Sequence, residues 1–177
     1  MAKQMRDPIQ LRYHVLGPFF PGRDGTTIAE SNVQFQLAHH PNYWTQLRKQ
    51  SLKETIRTTG PVARVWRVSL KDTVLPLGGG PDQKMIHNKD VWGDDVEEFK
   101  PERWIGRKPM WEFVCFWGGP RLCAAQQQVY TYVIYAMVRL TQRFESIENC
   151  DPVYEYVEGL MPSIESVNGV KVAFKNS

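Results

Sequence analysis

A mainly α fold with small β-hairpins is predicted by three features of this sequence. Residues 124–144 hold the clearest amphipathic stripe: Val129, Val133, Ala136, Leu140 and Phe144 recur at spacings of four, three, four and four. That repeat puts apolar side chains on one face of a helix. Two earlier stretches, 25–40 and 41–58, run to helical length without an internal breaker. Short alternating runs at 62–70, 73–77 and 167–174 supply the strands. At 177 residues, 42% hydrophobic and 23% charged, the chain is long enough to bury a core and is unlike a disordered segment.

Taken in order, residues 7–13 read as a short helix or turn leading into the apolar run 15–20. Pro21, Gly22 and Gly25 then separate that run from the helix 25–40. This helix is polar for a core element, with Glu30, Ser31, Asn32, Gln34 and Gln36 among few aliphatics. Pro41 opens the next helix, in the first turn, where its missing N–H costs nothing. Trp44, Leu47, Leu52 and Ile56 mark its apolar face, and Gly60-Pro61 stops it. Lys71-Asp72 turns a hairpin that Gly78-Gly79-Gly80-Pro81 ends, and 84–87 is a third short strand. Residues 88–119 are dense in Asp, Gly, Pro and Trp with no period, a long irregular segment of the kind that carries function. Asn168-Gly169 precedes alternating Val170, Val172 and Phe174 in the tail strand.

Composition excludes several classes. Lysine plus arginine is 22 against 19 acids, a net charge of +3 with no extended basic block, so neither nucleic acid nor an anionic membrane is an expected partner. The three cysteines form no CxxC pair, which points to a reducing compartment. No signal peptide is visible. The longest uncharged run, about 124–138, holds three glutamines and falls short of the ~20 apolar residues of a bilayer span, so no membrane anchor is expected in this chain. Gly78-Gly79-Gly80 lacks the strand and helix context of a phosphate loop.

Chemistry concentrates in Phe116-Trp117-Gly118-Gly119-Pro120-Arg121-Leu122-Cys123, directly ahead of the best helix. A cysteine at a helix start lies at the positive end of the dipole near unpaired N–H groups, and both favour a thiolate. The glycines let the backbone approach something flat, and Arg121 suits an anionic group. The same cysteine also reads as a buried thiol at a helix cap.

The octapeptide resembles the haem-binding loop of the cytochrome P450 family, Phe-x-x-Gly-x-Arg-x-Cys-x-Gly. Phe116, Gly119, Arg121 and Cys123 match in register, and Ala125 replaces the last glycine. The resemblance implies that Cys123 is the thiolate ligand of the iron of haem b, donating electron density that helps O–O cleavage. Glu54-Thr55-Ile56-Arg57 resembles the family's Glu-x-x-Arg helix, and Pro101-Glu102-Arg103-Trp104 its Pro-Glu-Arg loop. Together they imply a structural clamp of Glu54, Arg57 and Arg103 beneath the haem loop. Arg67 in Trp66-Arg67-Val68, together with Arg121, resembles the family's propionate-binding arginines, and His87 sits where many members place a histidine at the haem edge. Residues 22–27 resemble the oxygen-activating Ala-Gly-x-Asp-Thr-Thr, which makes Asp24 and Thr26 the proton-delivery candidates, with Gly25 at the first threonine position.

On this resemblance the fold is the C-terminal haem-binding part of the family, truncated and with an internal deletion between Gln50 and Ser51. It divides into a central oxygen-side helix (1–40), a fused helix with the Glu-x-x-Arg pair (41–60), a hairpin region (61–87), the Pro-Glu-Arg-Trp and haem loops (88–122), the helix after the cysteine (123–144) and a C-terminal β region (145–177). Such a chain should expose apolar surface. The implied activity is monooxygenation of a small apolar substrate, fatty-acid- or alkane-like or a fungal secondary metabolite, with electrons from an NADPH-cytochrome P450 reductase. Closest in look are fungal alkane and fatty-acid hydroxylases. The family usually resides at the endoplasmic-reticulum membrane, whereas a chain without an anchor reads as cytoplasmic. The competing readings are an inactive remnant that binds haem or a partner only, and a globular module in which Cys123 is a cap.

Overall fold

The first helix, α1 (Pro8–His39), starts on a cap: the Asp7 carboxylate accepts the N–H of Ile9 at 2.9 Å, with Pro8 in the first turn. The computed structural model describes residues 7–46, 48–62, 71–72, 87–108, 112–160 and 163–176. α1 corrects the expectation of separate segments at 7–13 and 25–40, because it runs through Pro18 and Pro21 without a break. Each proline removes one helical N–H, but the carbonyls left over belong to the exposed residues His14 and Gly17, where water can take them.

α1 has two unlike halves. Among the described side chains up to Thr27 none is fully buried, and Ile9, Tyr13, Leu16 and Phe19 are exposed. From Ile28 onward it is the centre of the molecule, with Val33 and Leu37 completely buried. The polar pattern of this half has a structural use. Buried Asn32 donates to the Thr59 carbonyl at 2.7 Å and accepts from the Tyr156 hydroxyl at 2.9 Å, tying α1 to the chain after the second helix and to the C-terminal region.

A 3-10 turn at Pro41–Tyr43 follows, and α2 is confined to Arg48–Thr58. This corrects the expectation of one helix over 41–58. The N–H of Trp44 returns to the Pro41 carbonyl and that of Gln46 to Tyr43, the tighter i to i+3 pattern. Trp44 turns into the core, its indole N–H donating to the Phe144 carbonyl at 3.2 Å. At the far end of α2, a Cβ on Gly60 would lie 2.6 Å from the Ile56 carbonyl oxygen, so only glycine fits.

The helix α3 (Lys89–Trp92) and 3-10 turns at Pro101–Trp104 and Gly119–Arg121 punctuate the long irregular segment. α4 (Gln126–Arg143) packs against both α1 and α2. Its buried face is Val129, Tyr130, Val133 and Met137, rotated from the expected stripe so that Ala136, Leu140 and Phe144 are only partly covered. β1 (Ser146–Asn149) pairs antiparallel with β4 (Val172–Lys175), and β2 (Glu158–Leu160) with β3 (Ile164–Ser166). The tail strand therefore begins at Val172 and not at 167, because Gly169 takes φ +69 in a turn after β3. The expected hairpin at 62–77 and strand at 84–87 lie almost wholly outside the described residues. No helix among the described residues is long and apolar enough to cross a membrane.

Because only the second half of α1 is packed, the two halves should respond differently to truncation of a leucine. Leu37→Ala should cost about 2–5 kcal/mol in urea unfolding, whereas Leu16→Ala should stay within roughly 0.5 kcal/mol of the parent. Equal losses at both positions would contradict the packing described.

Candidate functional site

The best-connected polar group in the described structure is the carboxylate of Glu54, on α2, with no solvent exposure. Arg57, one turn later on the same helix, donates from Nε to Oε2 at 3.0 Å and from Nη2 to Oε1 at 2.8 Å, a bidentate fork. The 3-10 turn at Pro101–Trp104 closes the other side. Arg103 Nε donates to Oε1 at 2.8 Å, the Trp104 indole N–H to Oε2 at 2.8 Å, and the backbone N–H of Lys100 to Oε1 at 3.2 Å. Two cations on one anion would leave an excess charge in the interior. Asp95 offsets it, accepting from Arg103 Nη1 at 3.2 Å. The remaining guanidinium protons of Arg103 go to the Trp92, Asp95 and Glu98 carbonyls, and the Arg57 and Arg107 guanidiniums both lie over the Trp92 ring.

Asp95 also titrates abnormally. A hydrogen bond from Lys100 Nζ at 2.6 Å, and then the Arg103 charge, hold its carboxyl below the usual carboxylate range against partial desolvation. A depressed folded value means that its stabilising contribution is complete above the unfolded value near 4 and is lost as pH falls through the lower folded value.

From this clamp a line of aromatic rings leads to the cysteine loop. Trp104 packs on Phe113 with centroids 4.9 Å apart, Phe113 on Phe116 at 6.5 Å, and Phe116 on Tyr130 of α4 at 5.4 Å. The Phe116 carbonyl accepts the N–H of Cys123 at 2.9 Å, which closes residues 116–123 into a loop. Inside it Trp117 takes φ +63, unusual for a bulky side chain, and Gly119 takes φ +62. The Trp117 N–H donates to the Val114 carbonyl at 2.8 Å. Cys123 is half-buried and precedes α4 by three residues. It is a loop residue whose own N–H is already paired, so it lies ahead of the helix rather than in its first turn. Cys115 is different: burial pushes its thiol up to about 12, and Sγ donates to the Ile56 carbonyl at 3.4 Å. Cys150 is exposed after β1.

The other sequence-predicted residues are dispersed. Arg121 is exposed in the turn Gly119–Arg121. His87 Nδ1 lies 2.9 Å from the Glu97 carboxylate. On α1, Asp24 is exposed, and the Thr26 hydroxyl donates to the Gly22 carbonyl at 3.0 Å. Arg67 lies outside the described residues. Sequence reasoning missed Trp104, Asp95 and the Lys100 amide as members of the clamp. Trp104 stood next to the quoted Arg103, but Asp95 and a backbone N–H carry no sequence signal.

Removing the central charge should be severe, since Glu54→Gln leaves two buried guanidiniums without their anion. A loss of about 3–5 kcal/mol in denaturant unfolding is expected, and a loss under 1 kcal/mol would refute the clamp's importance. For Asp95→Asn, the stability–pH curve should flatten below about pH 4 relative to the parent. An unchanged acid limb would count against the depressed carboxyl.

No family model matches the chain. Curated proteins do. It is 36% identical over 213 residues to the cytochrome P450 monooxygenase iliC of Neonectria sp., covering 98% of this chain and 42% of that protein. The iliC protein of Hypocrea jecorina is also 36% identical, with 98% of this chain and 47% of the relative covered. The cytochrome P450 monooxygenase himC of Aspergillus japonicus is 32% identical over 217 residues, with the whole chain and 39% of the relative covered. The chain thus spans less than half the length of these curated relatives. The aligned spans also exceed its 177 residues, so the relatives carry residues within them that this chain lacks. With fungal P450 monooxygenases matched from end to end at this level of identity, the chain belongs to the cytochrome P450 family.

Proposed function

We propose that this chain holds haem b through the Cys123 thiolate and serves the oxidation of a small apolar organic substrate, fatty-acid- or alkane-like or a fungal secondary metabolite. Family membership implies a haem cofactor and, in general, a redox partner. The loop 116–123 carries the reading. Within a few residues it presents a half-buried thiol at Cys123, an exposed guanidinium at Arg121, and apolar surface at Leu122 and Trp117, 52% and 40% exposed. A soft sulfur donor, apolar contact and a cation complement a flat apolar ring that carries iron and anionic edge groups, so these residues fit haem.

In this reading Cys123 would supply the sulfur that holds the iron, and Arg121, Arg67 and His87 would hold the anionic edge. Phe116 fixes the loop through its carbonyl, and the Glu54, Arg57 and Arg103 clamp supports the loop from below. Bound haem supplies oxygen activation, in which one atom of O2 enters a C–H bond and the other leaves as water, with two electrons drawn from NADPH through a reductase. Asp24 and Thr26 are the proton-delivery residues. We place the residues that the relatives carry and this chain lacks between Gln50 and Ser51, which here are consecutive residues of α2.

One observation favours a second reading, haem binding without turnover. The Thr26 hydroxyl is bonded to the Gly22 carbonyl of its own helix, and this half of α1 is open to water on its sides. Water exclusion is what controlled oxygen chemistry needs.

The test is to load the purified chain with haem, reduce it, add carbon monoxide and record the Soret band. A strongly red-shifted band that Cys123→Ala abolishes is expected. A band typical of nitrogen ligation, or one unchanged in the variant, would overturn the ligand assignment. With the band present, NADPH consumption with a fungal reductase and a medium-chain fatty acid separates the two readings.

A further inference from the structure

Where the C-terminal end of α1 meets the end of α2 and residues 97–99, the surface opens into a cavity of about 480 Å³. That volume lies within the range of small-molecule pockets. Among the described residues, none of the cysteine loop lines it, and neither does any lysine or arginine. Its walls are rings. Phe35 and His39 have centroids 4.1 Å apart, Tyr154 meets His39 edge-on at 4.5 Å, and His40 packs on Phe99 at 4.9 Å. Its charged groups are two carboxylates, of which Glu97 is held by His87 at 2.9 Å and Glu98 is exposed.

Hydrogen bonding fixes how the two imidazoles present themselves. Asn149 Oδ1 accepts the N–H of Asp151 at 2.9 Å, so the amide nitrogen of Asn149 is the atom 3.3 Å from His39 Nε2. Nε2 must therefore accept, and His39 carries its proton on Nδ1, donated to the Phe35 carbonyl at 2.8 Å. His40 Nδ1 is likewise set against a carbonyl, that of Gln36 at 3.0 Å. The His39 ring thus turns an acceptor nitrogen to Asn149, and each histidine directs its Nδ1–H into the backbone.

From the aromatic walls and the carboxylates, with no lysine or arginine among the described lining residues, we infer that this cavity binds a small organic cation with an apolar body, such as an aromatic amidinium or amine. Ring faces attract a cation through their quadrupole, and partial desolvation strengthens that attraction. Glu98 supplies the countercharge at the rim, and the Phe35 and Tyr154 rings take the apolar body. An anion of the same shape would meet two carboxylates, with no lysine or arginine among the described lining residues to offset them.

The probe is benzamidinium, with benzoate as its anionic counterpart, titrated into the full chain while the imidazole proton resonances are followed by NMR. Benzamidinium should saturate shifts of His39 and His40 and leave His14 unmoved, and benzoate should shift none of them. Glu98→Gln, an exposed position whose backbone carbonyl is untouched by the change, should weaken binding about tenfold, and Tyr154→Ala should weaken it as well. Equal binding of benzoate, no saturable shift at His39 and His40, or unchanged affinity in both variants would overturn the site.

Discussion

A single buried carboxylate organises this structure. Glu54 is removed from water completely, and that is favourable only because every donor around it is fixed in advance. Arg57 is fixed by the helix that also carries Glu54, so that pair costs little chain entropy to form. Arg103, Trp104 and the Lys100 amide come from a separate stretch and can reach the carboxylate only if that stretch adopts its short 3-10 turn. The carboxylate therefore selects the conformation of a segment that has little regular structure of its own. A half-formed clamp would leave a buried charge unpaired, so the arrangement is close to all or none.

The clamp matters for function because of what stands on it. Trp104 is both a donor to Glu54 and the first ring of the line through Phe113 to Phe116. Phe116 accepts the Cys123 N–H, so the position of the thiol is inherited from the carboxylate through packed rings and one backbone bond. Among the described residues no such buried polar network is seen in the first half of α1, where prolines and exposed apolar side chains coexist. The protein thus combines an over-determined cysteine side with an open helix that carries Asp24 and Thr26.

What could be read from the sequence follows the same division. The Glu54-Thr55-Ile56-Arg57 and Pro101-Glu102-Arg103-Trp104 strings are legible because short spacings fix local geometry. The cysteine octapeptide is legible because glycine, arginine and cysteine at fixed intervals are rarely coincidental. Long-range partners were not legible: Asp95 and the Lys100 amide reach the clamp through loop conformation, which has no period. The breaker at Pro21 misled because the carbonyl a proline orphans can be taken by solvent, as it is on this exposed half of α1. Asn32 and Gln36 looked wrong for a buried face, yet Asn32 is satisfied by Thr59 and Tyr156, residues remote in sequence.

Native-state hydrogen exchange of two amides tests the dependence of the cysteine loop on the carboxylate most directly. The Lys100 N–H is bonded to Glu54 and the Cys123 N–H to Phe116. If the loop stands on the clamp, both amides open with the same free energy and the same denaturant dependence, as one cooperative unit. Exchange of the Cys123 amide through a separate low-energy opening, with Lys100 still protected, would contradict it.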